Sequence, residues 1–153
     1  MDKVYNQKVN WECGNYTYLV ILNHHWIEIT EEQIVALPNF LSNVRATNIL
    51  AWFWLKNITA RIRSLTLAKN YLAKWYYIAG HTSLWNFQIG KKDPYYVTFD
   101  WDDDHFFVIK KYIPEKKSFL CQNSWWESYW IKWDFYIKEE DWKYLINPVR
   151  INI

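Results

Sequence analysis

Four carboxylates, Asp100, Asp102, Asp103 and Asp104, crowd one short stretch of the chain with His105 beside them. Oxygen ligands at that density suit Mg²⁺ or Mn²⁺. Aspartate is equally at home in a turn, where its side chain bonds its own backbone, and a polar hairpin turn without a metal is the expectation. Cys13, His24, His25, His81, His105 and Cys121 supply ligand types for zinc, but none stands at short ligand spacing. They read as packing residues, and no metal or other cofactor is expected. The residues that best suggest binding are aromatic and basic. Trp126, Ser128, Trp130, Lys132, Asp134 and Tyr136 alternate along a strand pattern and so share one face. Flat rings interleaved with charge can stack nucleobases, hold sugar rings or anchor a protein, because each use exploits a large rigid surface at small entropic cost. Arg45, Lys56, Arg63 and Lys74 form a second candidate. At about 100° per helical residue they fall within about 20° of one another, a stripe suited to phosphates.

Two nuclease families are resembled in outline. Glu115 and Lys117 form a carboxylate-x-lysine pair that, with Asp100, resembles the PD-(D/E)xK nuclease constellation. In that family the pair lies on a strand beside a metal, whereas residues 114–117 read as an exposed turn. His24, His25, Tyr71 and Lys74 resemble the rolling-circle replication nucleases, whose histidines hold a metal while a helical tyrosine attacks DNA. That family separates its histidines by one apolar residue so that both point the same way from a strand. Adjacent histidines on a strand point to opposite faces, and Tyr71 reads as a core or rim aromatic. The chain holds three glycines in all, with no phosphate-cradling glycine loop and no serine nucleophile elbow.

Positioning these residues calls for helix followed by sheet. Residues 16–23 are rich in β-branched and aromatic side chains and 26–30 alternate, which predicts an N-terminal β-hairpin turning through Asn23, His24 and His25. Thr30 and Gln33 fit a capping box that opens a short helix running to Leu37. Pro38 stops it by forcing its predecessor out of helical geometry. Residues 43–79 contain neither Gly nor Pro; Ser42 or Asn43 can cap the start, and Gly80 stands where a left-handed residue often ends a helix. This predicts a long basic amphipathic helix, in one segment or in two joined near Asn57, with Leu50, Trp54, Ile58, Leu65, Leu72 and Trp75 on its packed side. Beyond His81, short alternating runs at 84–89, 95–101, 105–113, 118–122 and 125–138 predict a mostly antiparallel, aromatic-rich meander packed on that helix. A helical turn within 139–146 and a strand at 149–153 close the chain. The expected fold class is α+β.

With 153 residues the chain suits one domain, and nothing in 1–153 reads as a linker or repeat. A content of 51% apolar and 21% aromatic residues excludes disorder. Two cysteines make no disulfide framework. The N-terminal residues lack the basic stretch and apolar run of a signal peptide, and no segment offers about twenty apolar residues for a membrane span. A cytoplasmic protein is therefore expected, in the host cell if viral, with Asn15-Tyr16-Thr17 and Asn57-Ile58-Thr59 chance matches to the glycosylation pattern.

Net charge is only +2 but unevenly spread. Residues 43–80 carry Arg45, Lys56, Arg61, Arg63, Lys69 and Lys74 with no acid, whereas 81–153 carry ten bases against eleven acids. A basic segment beside neutral surroundings points to phosphates at one face. The expectation is a small non-enzymatic nucleic-acid-binding accessory protein, contacting phosphates through Arg45, Lys56, Arg63 and Lys74 and stacking bases on sheet aromatics such as Trp130 or Tyr136, with Lys132 on the same binding face. A protein-binding inhibitor, immunity or host-antagonist protein is the alternative, a metal-dependent nuclease a third, and a homodimer a further arrangement. The abundance of Ile, Asn, Lys and Tyr suits an AT-rich genome such as that of a virus or mobile element.

Overall fold

A computed structural model describes residues 13–51, 59–62, 64–82, 87–89, 97–99, 105–122 and 134–151. Among these, helices α1 (Cys13–His24), α2 (Glu31–Val35) and α3 (Asn43–Ala51) precede strand β1 (Thr59–Arg61) and helix α4 (Leu65–Ala73). Seven strands follow: β2 (Ile78–Thr82), β3 (Phe87–Ile89), β4 (Val97–Phe99), β5 (His105–Ile113), β6 (Ser118–Gln122), β7 (Asp134–Lys138) and β8 (Val149–Ile151). The arrangement is α+β. No helix among the described residues is long and apolar enough to cross a membrane.

The N-terminal hairpin does not form. Residues 16–23 lie inside α1, and 26–30 form no strand. Every residue of α1 from 13 to 22 is buried. A helix buried all round carries no amphipathic stripe, and a short apolar run is then indistinguishable from a buried strand by periodicity. Asn15, the first glycosylation match, is also buried: its amide donates to Ile34 O (2.9 Å) and accepts from Phe40 N (2.9 Å). The second match, at Asn57, falls outside the described residues. The capping box is present, with Gln33 N donating to Thr30 Oγ1 (3.1 Å) and Thr30 N to Gln33 Oε1 (2.8 Å).

The long helix is replaced by separate elements. α3 ends at Ala51, Thr59–Arg61 pair with β8, and α4 starts afresh behind Ser64, whose hydroxyl accepts from Leu67 N (3.1 Å). A stretch without Gly or Pro permits a helix but does not demand one, and the β-branched Thr59 takes its place in a ladder. Gly80 stands in the middle of β2, not at a helix end. A Cβ there would come within 2.3 Å of the Phe107 ring, so the missing side chain admits that ring from the paired strand.

The main sheet has six strands in the order β1-β8-β2-β5-β6-β7, every neighbouring pair antiparallel, and β3 and β4 pair separately. β5 and β6 coincide with the expected 105–113 and 118–122, joined by a 3-10 turn at Pro114–Lys116. Alternation sends Ile78, Phe107, Ile109, Phe119, Cys121, Phe135 and Ile137 to one face, where they pack with Ala68 and Leu72 of α4. Ala79, Val108 and Val149 face the other way, against Tyr16, Leu19, Ile21 and Leu22 of α1 and Ala46 and Leu50 of α3. Helices thus cover both faces of the sheet. Asn43, fully buried at the start of α3, fixes one side of this arrangement. Its Oδ1 accepts from Tyr18 Oη (2.8 Å), and its amide donates to the carbonyls of Ala79 (3.2 Å), Ile146 (3.3 Å) and Asn147 (3.0 Å).

Candidate functional site

α1 and α4 both end near the start of β2, and the two ends are built alike. At α1, Ile27 N donates to Leu22 O (2.9 Å) and Trp26 N to Asn23 O (3.2 Å). At α4, Tyr76 N donates to Tyr71 O (3.1 Å) and Trp75 N to Leu72 O (3.1 Å). Each pair is the nested pattern of a Schellman stop, whose penultimate residue must take left-handed backbone angles and is usually glycine. Here the residues are Trp26 (φ 64°) and Trp75 (φ 74°). Left-handed geometry costs a residue with a Cβ roughly 1–2 kcal/mol. The expense is not recovered by burial, since Trp26 is 92% exposed and Trp75 79%.

The two turns are tied to each other. His24 Nε2 donates to the Trp75 carbonyl (2.8 Å), and the His24 ring stacks on Tyr77 with centroids 3.5 Å apart. His25 turns inward and its Nε2 accepts from Tyr77 N (3.2 Å). Adjacent histidines therefore diverge even on a helix end. Tyr71, for its part, lies under the Arg150 guanidinium, 4.2 Å from its ring centroid, as a packing residue.

Between these turns and β5 opens a cleft of about 930 Å³. α1 and its turn contribute Val20, Asn23, His24 and Trp26; α4 and its turn contribute Lys69, Leu72, Ala73 and Trp75; β5 contributes Lys110, Lys111 and Tyr112. Among the described residues that line it there is no carboxylate. Two of its lysines are engaged from outside. Lys69 Nζ meets Glu139 Oε2 at 2.6 Å and lies 4.4 Å from the Tyr112 ring centroid, while Lys110 Nζ meets Asp134 Oδ2 at 3.3 Å. Lys111 is exposed and pairs with no carboxylate among the described residues.

The hydrogen bond to Glu139 holds the Lys69 ammonium above its ordinary pKa, and the same bond holds the Glu139 carboxyl below its own. The carboxylate's contribution to stability is complete above the usual carboxylate range and lost as pH falls through its lowered folded value. The ammonium's is complete below the usual lysine value and lost as pH rises through its raised one. Wild type should therefore exceed Glu139→Gln in melting temperature at neutral pH. The advantage should vanish in strong acid, which melting curves across pH will check.

The described residues among those anticipated, Arg45, Lys74 and Tyr136, lie on separate elements. Arg45 is exposed on α3, with Nε donating to Asn39 O (3.3 Å), and Lys74 caps α4 next to Trp75, so the pair shares no continuous helix. Trp75 was expected on a packed face and is exposed instead, because α4 ends just before it. Tyr136 lies on β7 beneath Lys116 Nζ, 4.4 Å from the ring centroid, and does not line the cleft. Lys56, Arg63, Trp130 and Lys132 fall outside the described residues, as do Asp100, Asp102, Asp103 and Asp104. Glu115 and Lys117 are exposed at the β5–β6 turn. Among the described residues no three His, Cys, Asp or Glu side chains gather as metal ligands. The cleft residues that sequence reasoning missed are Trp26, Trp75, Lys69, Lys110 and Lys111. Their one signal was a tryptophan at the stop of each helix, visible only once the helix ends are known. The chain matches no family model, and no curated protein or solved structure matches it, so the cleft is read from its own residues.

Proposed function

We propose that this is a small cytoplasmic nucleic-acid-binding accessory protein without catalytic activity, and that the cleft between the ends of α1 and α4 is where it binds. One observation carries the reading: Lys69, Lys110 and Lys111 line the cleft together with four aromatic rings, those of Trp26, Trp75, Tyr77 and Tyr112, and no carboxylate lines it among the described residues. Cations in a groove attract the phosphate backbone, and exposed rings offer faces to bases. Fluorescence-anisotropy titration of labelled oligonucleotides at low and physiological salt tests it. Binding should weaken steeply with salt, and Lys111→Gln should weaken it further. Absence of binding at low salt overturns the reading. Glu139→Gln supplies a sharper check, because removing an acid that neutralises Lys69 should tighten binding rather than loosen it.

A protein partner is the second reading, favoured by a different observation. β2 leaves β5 after the Ile78–Ile109 pair, so among the described residues 111–113 of β5, beyond the irregularity at Lys110, pair only with β6 and present an open edge at the cleft. An extended peptide could add there as a further strand. Such binding would depend little on salt and would survive Lys111→Gln.

A further inference from the structure

Trp26 and Trp75 occupy the same position in two independent helix stops, both in left-handed backbone that glycine would adopt without strain, and both line one cleft. Neither buries its indole in the fold. A sequence that places the largest side chain at a glycine position twice, on the walls of one basic cleft, holds two rings out for something outside the chain. The backbone hydrogen bonds of the two stops and the His24 bond to the Trp75 carbonyl fix the backbone from which the rings project, and an indole has only two side-chain torsions to order when it is covered.

We infer that the ligand is single-stranded nucleic acid, with unpaired bases stacked on Trp26 and Trp75 while the sugar-phosphate backbone follows Lys110 and Lys111. This rests on the nucleic-acid reading of the cleft and deepens it. In a duplex each base has both faces covered by its neighbours, so exposed indoles gain nothing from it beyond the ends. An unpaired base of any kind offers a free ring face, which also makes the interaction tolerant of sequence. A partner held by apolar contact alone would be poorly matched here, since Lys69, Lys110 and Lys111 stand around the rings.

The test compares labelled oligothymidylate with a duplex of the same length, for wild type, Trp26→Gly, Trp75→Gly and the two Trp→Phe variants. The single strand should bind about tenfold or more tightly than the duplex. Each Trp→Gly change should weaken single-strand binding by roughly five- to a hundredfold, and each Trp→Phe change by much less, because a ring remains. Melting temperatures of the glycine variants should hold or rise, since strain is relieved, so lost binding cannot be ascribed to unfolding. Equal binding of duplex and single strand, untouched by Trp→Gly, would overturn the single-strand inference while leaving the cleft a nucleic-acid site. Binding of neither would overturn both.

Discussion

Asn43→Ala should destabilise the fold by about 3–5 kcal/mol, because it orphans several buried groups at once. Asn43 joins α1 through Tyr18, β2 through Ala79, and the segment before β8 through Ile146 and Asn147. Alanine would leave the Tyr18 hydroxyl without its acceptor in a site so buried that its phenol is pushed far above the ordinary tyrosine value. An unsatisfied buried polar group costs about 1–3 kcal/mol, and at least the hydroxyl and one carbonyl would be stranded. Urea unfolding should show a lower midpoint with little change in slope. Adding Tyr18→Phe removes the stranded hydroxyl, so the double variant should lose less than the sum of the single losses. A loss under about 1 kcal/mol for Asn43→Ala would mean that water or rearrangement satisfies these groups.

The second large effect concerns binding. Lys110→Glu with Lys111→Glu reverses two charges at the cleft and sets carboxylates where phosphates should lie, which should reduce affinity by roughly a hundredfold or more. The neutral pair Lys110→Gln with Lys111→Gln separates charge from repulsion. If each lysine neutralises one phosphate of a single strand, the slope of log affinity against log salt should fall by about 1.4. Anisotropy at a series of salt concentrations reads both quantities. An unchanged slope would place the phosphates elsewhere, and charge reversal at Arg45 would then be the informative variant, since Arg45 is exposed on α3 and does not line the cleft.

What could be read ahead of the structure divides by how local the cause is. β5, β6 and the turn between them were legible because alternation, Pro114 and the exposed lysine pair all act over a few residues. The α2 capping box was legible for the same reason. α1 was not, because its burial on all sides is a property of the assembled layers and erases the period of 3.6 that would have announced it. The break between α3 and α4 was hidden because Thr59–Arg61 become a strand only when β8, some ninety residues later, offers its edge. Gly80 satisfied a helix-stop rule yet serves to admit the Phe107 ring.

The site was less legible than the fold. Arg45 and Lys74 were aligned by projecting one helix through residues that belong to several elements, and the alignment ends with that helix. The preference for glycine at a helix stop pointed away from Trp26 and Trp75, which take left-handed backbone angles despite carrying a Cβ. Lys69 and Lys111 are far apart in sequence and meet at one cleft only because α4 packs across β5.

The most direct test of the cleft as the binding site is ultraviolet crosslinking of the full chain to oligothymidylate, followed by mass-spectrometric mapping of the modified peptides. Crosslinks should concentrate on peptides carrying Trp26, Trp75 and the Lys110-Lys111-Tyr112 run. Crosslinks confined to α3 around Arg45, with those peptides unmodified, would contradict the assignment.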